Sequence, residues 1–152
     1  MRHWLLKTEP GCYSLDDLQK DGETLWTGIR NYQARNMLRD EMRPGDLCLF
    51  YHSSVDPAAA VGVCRVTKAG EPDPTQFDPK DDHYDPDSDP GNPRWFAVCV
   101  AYDSAFARPV AIGDMRKNPR LESMKLLEKG SRLSVLPVTP AEFAEVVKMG
   151  KK

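Results

Sequence analysis

The sequence predicts an α+β fold, a small curved sheet or barrel with flanking helices, on three observations. About six segments read as strands, with helical segments between them. The two kinds do not alternate in the regular βαβ manner. No G-x-G-x-x-G or G-x-x-x-x-G-K-S/T run follows a strand, which disfavours a Rossmann sheet and its nucleotide cradle. The 152 residues, 40% hydrophobic and 29% charged, suit one domain over residues 1–152 with a single good core.

His3 to Lys7 reads as the first strand. Ser14 then caps a helix through Ser-x-x-Asp, with Tyr13 and Leu18 placed as a hydrophobic staple, and the helix ends near Gly22. A second helix enters through W-T-G-I-R-N-Y-Q-A-R-N, Trp26 to Asn36, and runs on through Arg43. Pro44 followed by Gly45 suits a type II turn. Leu47 to Tyr51 is a continuous apolar run, hence a strand buried on both faces. Val61 to Val66 is the next strand. Glu71 to Pro93 is rich in Pro and Asp and has no period, so it reads as a long loop of the kind that is usually functional or mobile.

Trp95 to Tyr102 returns to the core as a strong central strand. Pro109 to Ile112 and Arg132 to Val138 give two more, with short helical pieces between Asp114 and Leu127. Thr139-Pro140-Ala141-Glu142 is a capping box with Pro at the first helical position, and Phe143, Val146 and Val147 form the buried stripe of the last helix. Leu47, Leu49, Val61, Val63, Val98, Val100, Leu133 and Val135 are predicted to share one continuous sheet core.

Charge and cysteine usage narrow the function. Net charge is −2, yet eight carboxylates between Glu71 and Arg94 face only Lys80 and Arg94. Without that segment the counts are 15 acidic and 19 basic, a net of +4, which permits nucleic-acid binding without requiring it. No apolar run approaches a membrane span, and the apolar centre of M-R-H-W-L-L-K-T-E-P is too short for a signal peptide, so the cytoplasm is the expected compartment. Cys48, Cys64 and Cys99 sit in apolar runs and Cys12 stands apart, with no C-x-x-C pair, so neither a disulfide framework nor a zinc site is expected.

Catalytic and metal candidates are thin. His3, His52 and His83 have no metal-ligand spacing. Asp85, Asp87 and Asp89 imitate the start of a calcium loop, but Pro90 and Phe96 stand where Gly and Glu are required. Ser53 and Ser54 lack a G-x-S-x-G elbow. No cofactor, metal or enzymatic constellation is implied.

The second helix is more informative. Ala34, Met37, Leu38 and Met42 fall on one face; Tyr32, Arg35, Asn36, Arg39 and Arg43 fall on the other. That polar face offers guanidinium forks suited to phosphate or a base. Trp4, Trp26, Trp95, Tyr32, Tyr51 and Tyr84 supply aromatic surface, and Tyr51-His52-Ser53-Ser54 lies where a buried strand surfaces. An extruded base needs stacking faces and hydrogen bonds at its edge.

W-L-L-K-T-E-P with Y-S-L-D-D-L, W-T-G-I-R-N-Y-Q-A-R-N, R-P-G-D with F-Y-H-S-S, V-G-V, P-D-P-T-Q-F-D, Y-D-P, P-R-W and R-L-S-V-L-P-V occur in that order and closely resemble the EVE-domain family over nearly the whole chain. The resemblance implies a PUA-like fold, a curved and mostly antiparallel β-barrel with flanking helices. It also implies, by analogy, a reader of modified bases such as methylated or hydroxymethylated cytosine in DNA or RNA.

The expected function is therefore a non-enzymatic binding module whose partner is nucleic acid carrying a modified base. Trp26 and Tyr32 are the expected aromatic walls, with Trp95 or Tyr84 closing the site. Asn31, His52 and Ser53 are expected to read the base edge, and Arg30, Arg35 and Arg39 to meet phosphates. The alternatives are a small-molecule or nucleoside sensor, or an enzyme with His52 as its base. Arg35 is expected to carry little packing.

Overall fold

Side chains alternate along an extended strand, so an apolar run such as Leu47 to Tyr51 must find a core on each face of its sheet. In the computed structural model, which describes residues 1–128 and 133–151, this run lies in β3 (Leu47–His52). The other strands are β1 (His3–Thr8), β2 (Glu23–Trp26), β4 (Ala59–Pro72), β5 (Phe96–Ala111) and β6 (Val135–Val138). They form a six-stranded sheet in the order β2-β5-β4-β3-β1-β6. Only β1 and β3 pair in parallel; the other four pairings are antiparallel.

Two cores result, which corrects the expectation of one. Trp4, Leu6, Cys48, Phe50, Cys64, Val66, Val98, Val100 and Val135 face one side. There they meet Leu15 and Leu18 of α1 (Leu15–Asp21) and Ala34 of α2 (Tyr32–Asn36). Leu5, Leu49, Tyr51, Ala60 and Val110 face the other side. Met115 of α3 (Ile112–Arg116) and Val146 of α4 (Pro140–Gly150) cover that side together with Leu121, Met124 and Leu126. The cause is the period of two: Trp4, Leu5 and Leu6 of β1 and Leu47 to Tyr51 of β3 are apolar at odd and even positions alike, so neither face of these runs is left to water. Leu47, Val61 and Leu133 are only half-buried.

The barrel expected from the family resemblance is not closed, since β2 and β6 stand as the two edges of the described sheet. The sheet is nevertheless strongly curved. The pairing of β4 with β5 shifts register four times, and each irregularity adds bend and twist. Trp26 of β2 reaches Phe50 of β3 across that curve, their rings edge-on at 5.6 Å.

Several element boundaries differ from those predicted. β2 carries no apolar alternation and exists because its backbone pairs with the edge of β5. Pro109 to Ile112 is no separate strand: Pro109 to Ala111 end the 16-residue β5 and Ile112 begins α3. β4 extends past Val66 to Pro72 because β5 supplies its hydrogen-bonding partner. Trp95 lies just before β5, and Arg132, the predicted start of the last strand, lies outside the described residues.

The helix expected through Arg43 is one short α-helix followed by a π-helical stretch, Met37–Glu41, closed by Met42 N–H donating to the Met37 carbonyl at 2.9 Å. The two faces survive the change. Ala34, Met37, Leu38 and Met42 are buried, while Tyr32, Arg39 and Arg43 are exposed and Arg35 and Asn36 half-buried.

Both predicted capping boxes form. Ser14 and Asp17 exchange hydrogen bonds at the start of α1, and Thr139 and Glu142 do so at α4. Thr139→Ala is expected to lower stability by about 1 kcal/mol while leaving ligand binding intact. Urea denaturation and a titration on the same sample check both halves.

Candidate functional site

The curvature places the end of β1, the end of β2 and the start of β6 around one cavity of about 410 Å³. Its lining includes Thr8, Cys12, Tyr13, Thr24, Trp26, Thr27, Gly28, Ile29 and Ser134. Trp26 is 7% exposed and fixes the back of the cavity. The Tyr13 ring stands edge-on to it at 6.3 Å, so the two aromatic planes make a corner. Burial and a 2.8 Å hydrogen bond to Asp21 push the Tyr13 phenol up to about 12, so it stays protonated at neutral pH. Hydroxyls of threonine and serine complete a lining that is part apolar and part hydrogen-bonding. A second concavity of about 420 Å³ beside Arg2 and Arg43 has no aromatic residue in its described lining and no comparable corner.

One wall rests on a buried carboxylate. Asp73 is fully buried and accepts from Gly28 N–H at 2.8 Å, Arg30 Nη1 at 3.0 Å, Thr75 N–H at 2.8 Å and the Thr75 hydroxyl at 2.6 Å. Burial alone would raise its pKa; the hydrogen bonds from Thr75, Gly28 and Arg30 outweigh that and hold it below the ordinary value. Arg30 also donates to the His83 carbonyl at 2.7 and 3.1 Å and to the Thr75 hydroxyl at 2.9 Å.

Gly28 has φ +85°, and a Cβ there would lie 2.9 Å from the His83 ring. Gly28→Ala is expected to displace His83 and strain the turn, weakening ligand binding more than overall stability. The pair of measurements is a melting curve and a binding isotherm.

The Asp/Pro-rich segment is held by its own hydrogen bonds. Asp78, Asp81, Asp85 and Asp89 each accept the backbone N–H two residues further on. These are Asx turns, which use carboxylates locally. Gln76, fully buried, donates to the carbonyls of Asp73 and Trp95 and accepts from the Ser88 hydroxyl and Trp95 N–H. Asp85 accepts from Trp95 Nε1 at 2.7 Å, a bond that holds its carboxyl below the usual range.

Outside the cavity, Tyr32 stacks on Trp95 with ring centroids 4.9 Å apart. The Arg35 guanidinium lies 4.9 Å from the Tyr32 ring centre and that of Arg30 lies 5.3 Å from Trp95. Arg39 lies 5.8 Å from the Phe96 ring.

Residues 2–149 match the model of the EVE domain. The chain belongs to the EVE-domain family. Thymocyte nuclear protein 1 of Gallus gallus is 37% identical over 97% of this chain and 68% of its own length. A crystal structure of a Pseudomonas putida protein has a TM-score of 0.93 and 42% identity, covering 97% of this chain and 98% of that one. Human THYN1 protein, solved in complex with 5-methylcytosine-containing DNA, has a TM-score of 0.91 and 34% identity, covering 100% of this chain and 99% of that one.

The EVE domain distributes the residues singled out by sequence over three places. Trp26 is the one of the seven expected pocket residues that lines the 410 Å³ cavity. His52 is close, its ring 5.7 Å from Phe50, which also touches Trp26. Its Nε2 accepts Leu15 N–H at 3.2 Å, an unpaired donor of the first turn of α1. Burial lowers the His52 pKa, partly offset by Asp16, in keeping with a neutral acceptor ring. Ser53 N–H donates to the Thr8 carbonyl at 2.8 Å and stitches this segment to the cavity wall.

Asn31 accepts Ala34 N–H and caps α2. Tyr32 and Trp95 form the external stack, and Tyr84 is 41% exposed on the acidic segment. Among the expected phosphate ligands, Arg30 is anchored to Asp73 and Arg39 chelates its neighbour Asp40 through two 2.8 Å bonds. Arg35 donates to the Arg94 carbonyl and Asn36 at 3.0 Å each, so it carries more structure than its surface position implied.

Sequence reasoning missed Thr8, Tyr13, Thr24, Thr27, Ile29 and Ser134 as lining residues. Their signal is juxtaposition across a bent sheet, which no local spacing encodes. Among the described residues no group of three His, Cys, Asp or Glu is placed to hold a metal ion, and no helix is long and apolar enough to cross a membrane.

Proposed function

We propose that this EVE domain is a non-enzymatic reader that takes a modified cytosine, extruded from DNA, into the Trp26 cavity. The observation that carries the reading is the aromatic corner of Trp26 and Tyr13 inside a cavity of about 410 Å³. That size lies at the lower end of the roughly 300–1,000 Å³ typical of ligand sites. One ring face stacks on an indole, and the threonine and serine hydroxyls meet the polar edge. The human relative solved with 5-methylcytosine-containing DNA supports the choice of ligand. Arg35 and Arg39 meet flanking phosphates, and Arg30 holds the wall.

The reading is tested by titrating labelled duplexes that differ only in one central cytosine, modified or not, at two salt concentrations. Burying one methyl against an apolar wall is worth about 0.8 kcal/mol or more, so roughly a fourfold or larger preference for the methylated duplex is expected. Each phosphate contact contributes a slope of about −0.9 in log K against log salt, so two such contacts give about −2. Equal affinity for both duplexes contradicts the reading. Tight binding of a free nucleoside with no salt dependence for any DNA favours a small-molecule sensor. The enzyme alternative with His52 as base is disfavoured, because its Nε2 already accepts the Leu15 N–H.

A further inference from the structure

Tyr32 sits in the same continuous segment as the cavity lining yet points its surface elsewhere. Trp26 to Ile29 line the cavity, Arg30 anchors to Asp73, and Asn31 caps the helix that presents Tyr32. Tyr32 is 53% exposed, one of few large hydrophobic side chains left open. It is also fixed. Trp95, itself 6% exposed, stacks against it at 4.9 Å with planes 26° apart. Trp95 is in turn held by Asp85 at its Nε1 and by Gln76 at its backbone. Tyr32 also carries the Arg35 guanidinium over its ring, 4.9 Å from the ring centre, so a base that stacks there moves that guanidinium aside toward its own phosphate.

A rigid aromatic plane beside a cation needs no such support to serve as core or as solvated surface. It matches what a nucleobase and its phosphate require: a π-face to stack on and a positive charge next to it. Arg39 lies over Phe96 further along the chain, with its charge paired to Asp40, so Arg35 is the cation next to Tyr32.

We propose that Tyr32 is a second stacking site of this domain, outside the cavity, for the base adjoining the one inserted at Trp26. The occupant is a nucleobase of the same strand, with its phosphate against Arg35. This rests on the base-reader function proposed above and adds a second subsite to it. It gives a strand an advantage over the free modified nucleoside, because only a strand can occupy both positions at once.

The test compares two probes and three proteins. The probes are free 5-methyldeoxycytidine and a short single-stranded oligonucleotide carrying one 5-methylcytosine. The proteins are wild type, Tyr32→Ala and Tyr32→Phe. Tyr32→Ala is expected to weaken the oligonucleotide about tenfold and leave the nucleoside within twofold. Tyr32→Phe is expected to behave as wild type, since the phenyl face still stacks.

Equal weakening of both probes by Tyr32→Ala overturns the second site and assigns Tyr32 to the cavity. No weakening of either, with both still bound by wild type, overturns it while the Trp26 reading stands. Failure of wild type to bind either probe overturns both. Circular dichroism of Tyr32→Ala checks the fold; if that variant is unfolded, the comparison is made with Tyr32→Ser and Tyr32→Leu, and the Leu variant, without a π-face, is expected to lose the oligonucleotide as Ala does.

Discussion

Asp73→Ala is expected to destabilise the domain by about 3–5 kcal/mol, the cost of leaving a buried charge without its partner. Asp73 is 0% exposed and accepts four hydrogen bonds. Its removal strands the Arg30 guanidinium, 21% exposed, and the Gly28 N–H beside the cavity. Asp73→Asn keeps the shape but turns an NH₂ toward donors, so it is expected to be nearly as harmful.

The same carboxylate gives a pH signature. Its folded pKa lies below the ordinary value, so its contribution is complete above the unfolded pKa, about 4, and is lost as pH falls through the folded value. The acid limb of stability is therefore expected to be shallower in Asp73→Ala than in wild type. Denaturant midpoints from pH 7 down to pH 2 measure both effects. A loss under about 1 kcal/mol at pH 7 contradicts this assignment of Asp73.

Trp26→Ala is expected to act on fold and site together. The indole is 7% exposed and packs edge-on to Phe50 and Tyr13. Truncating a buried tryptophan costs about 3–5 kcal/mol. Loss of the stacking face is expected to weaken a modified-base ligand about tenfold or more. Trp26→Phe separates the two effects: it retains part of the packing and a smaller π-face, so affinity is expected between wild type and Ala. Binding is measured at a temperature where circular dichroism shows each variant folded. Unchanged affinity in folded Trp26→Ala contradicts the cavity as the ligand site.

Much of this architecture is legible in the residues. Ser14 and Thr139 announce their helices because a cap is a local chemical event, complete within four residues. Leu47 to Tyr51 announces a doubly covered strand because its apolar run leaves no polar face. The second core was present in that same run, since Cys48 and Phe50 must face away from Leu49 and Tyr51. β2 was hidden because Glu23 to Leu25 carry no pattern of their own and are held by the edge of β5.

The candidate site is legible only in part. Trp26 could be picked from its polar surroundings, and it lines the cavity. Asn31 and His52 looked like base readers because an amide or an imidazole has the same donors and acceptors whether it meets a ligand or a backbone. The fold uses them on Ala34 N–H and Leu15 N–H. The Asp-rich segment reads as a long loop without period, yet Asp78, Asp81, Asp85 and Asp89 each stand two residues before an N–H they accept. Arg30 and Asp73 lie 43 positions apart, and only the folded chain reveals that the first expected phosphate ligand is the anchor of a wall.

Entry of a modified base into the Trp26 cavity would be read out by the alkylation rate of Cys12. This thiol is exposed and lines the cavity, whereas Cys48 and Cys64 are buried and half-buried Cys99 on β5 serves as an internal control. Peptide mapping after iodoacetamide treatment follows each site with and without a duplex carrying one 5-methylcytosine. Cys12 alkylation is expected to slow in step with occupancy by the methylated duplex and much less with the unmodified duplex at equal concentration, while Cys99 alkylation stays unchanged. A methylated duplex that binds by fluorescence anisotropy while Cys12 reacts as fast as in the free protein contradicts it.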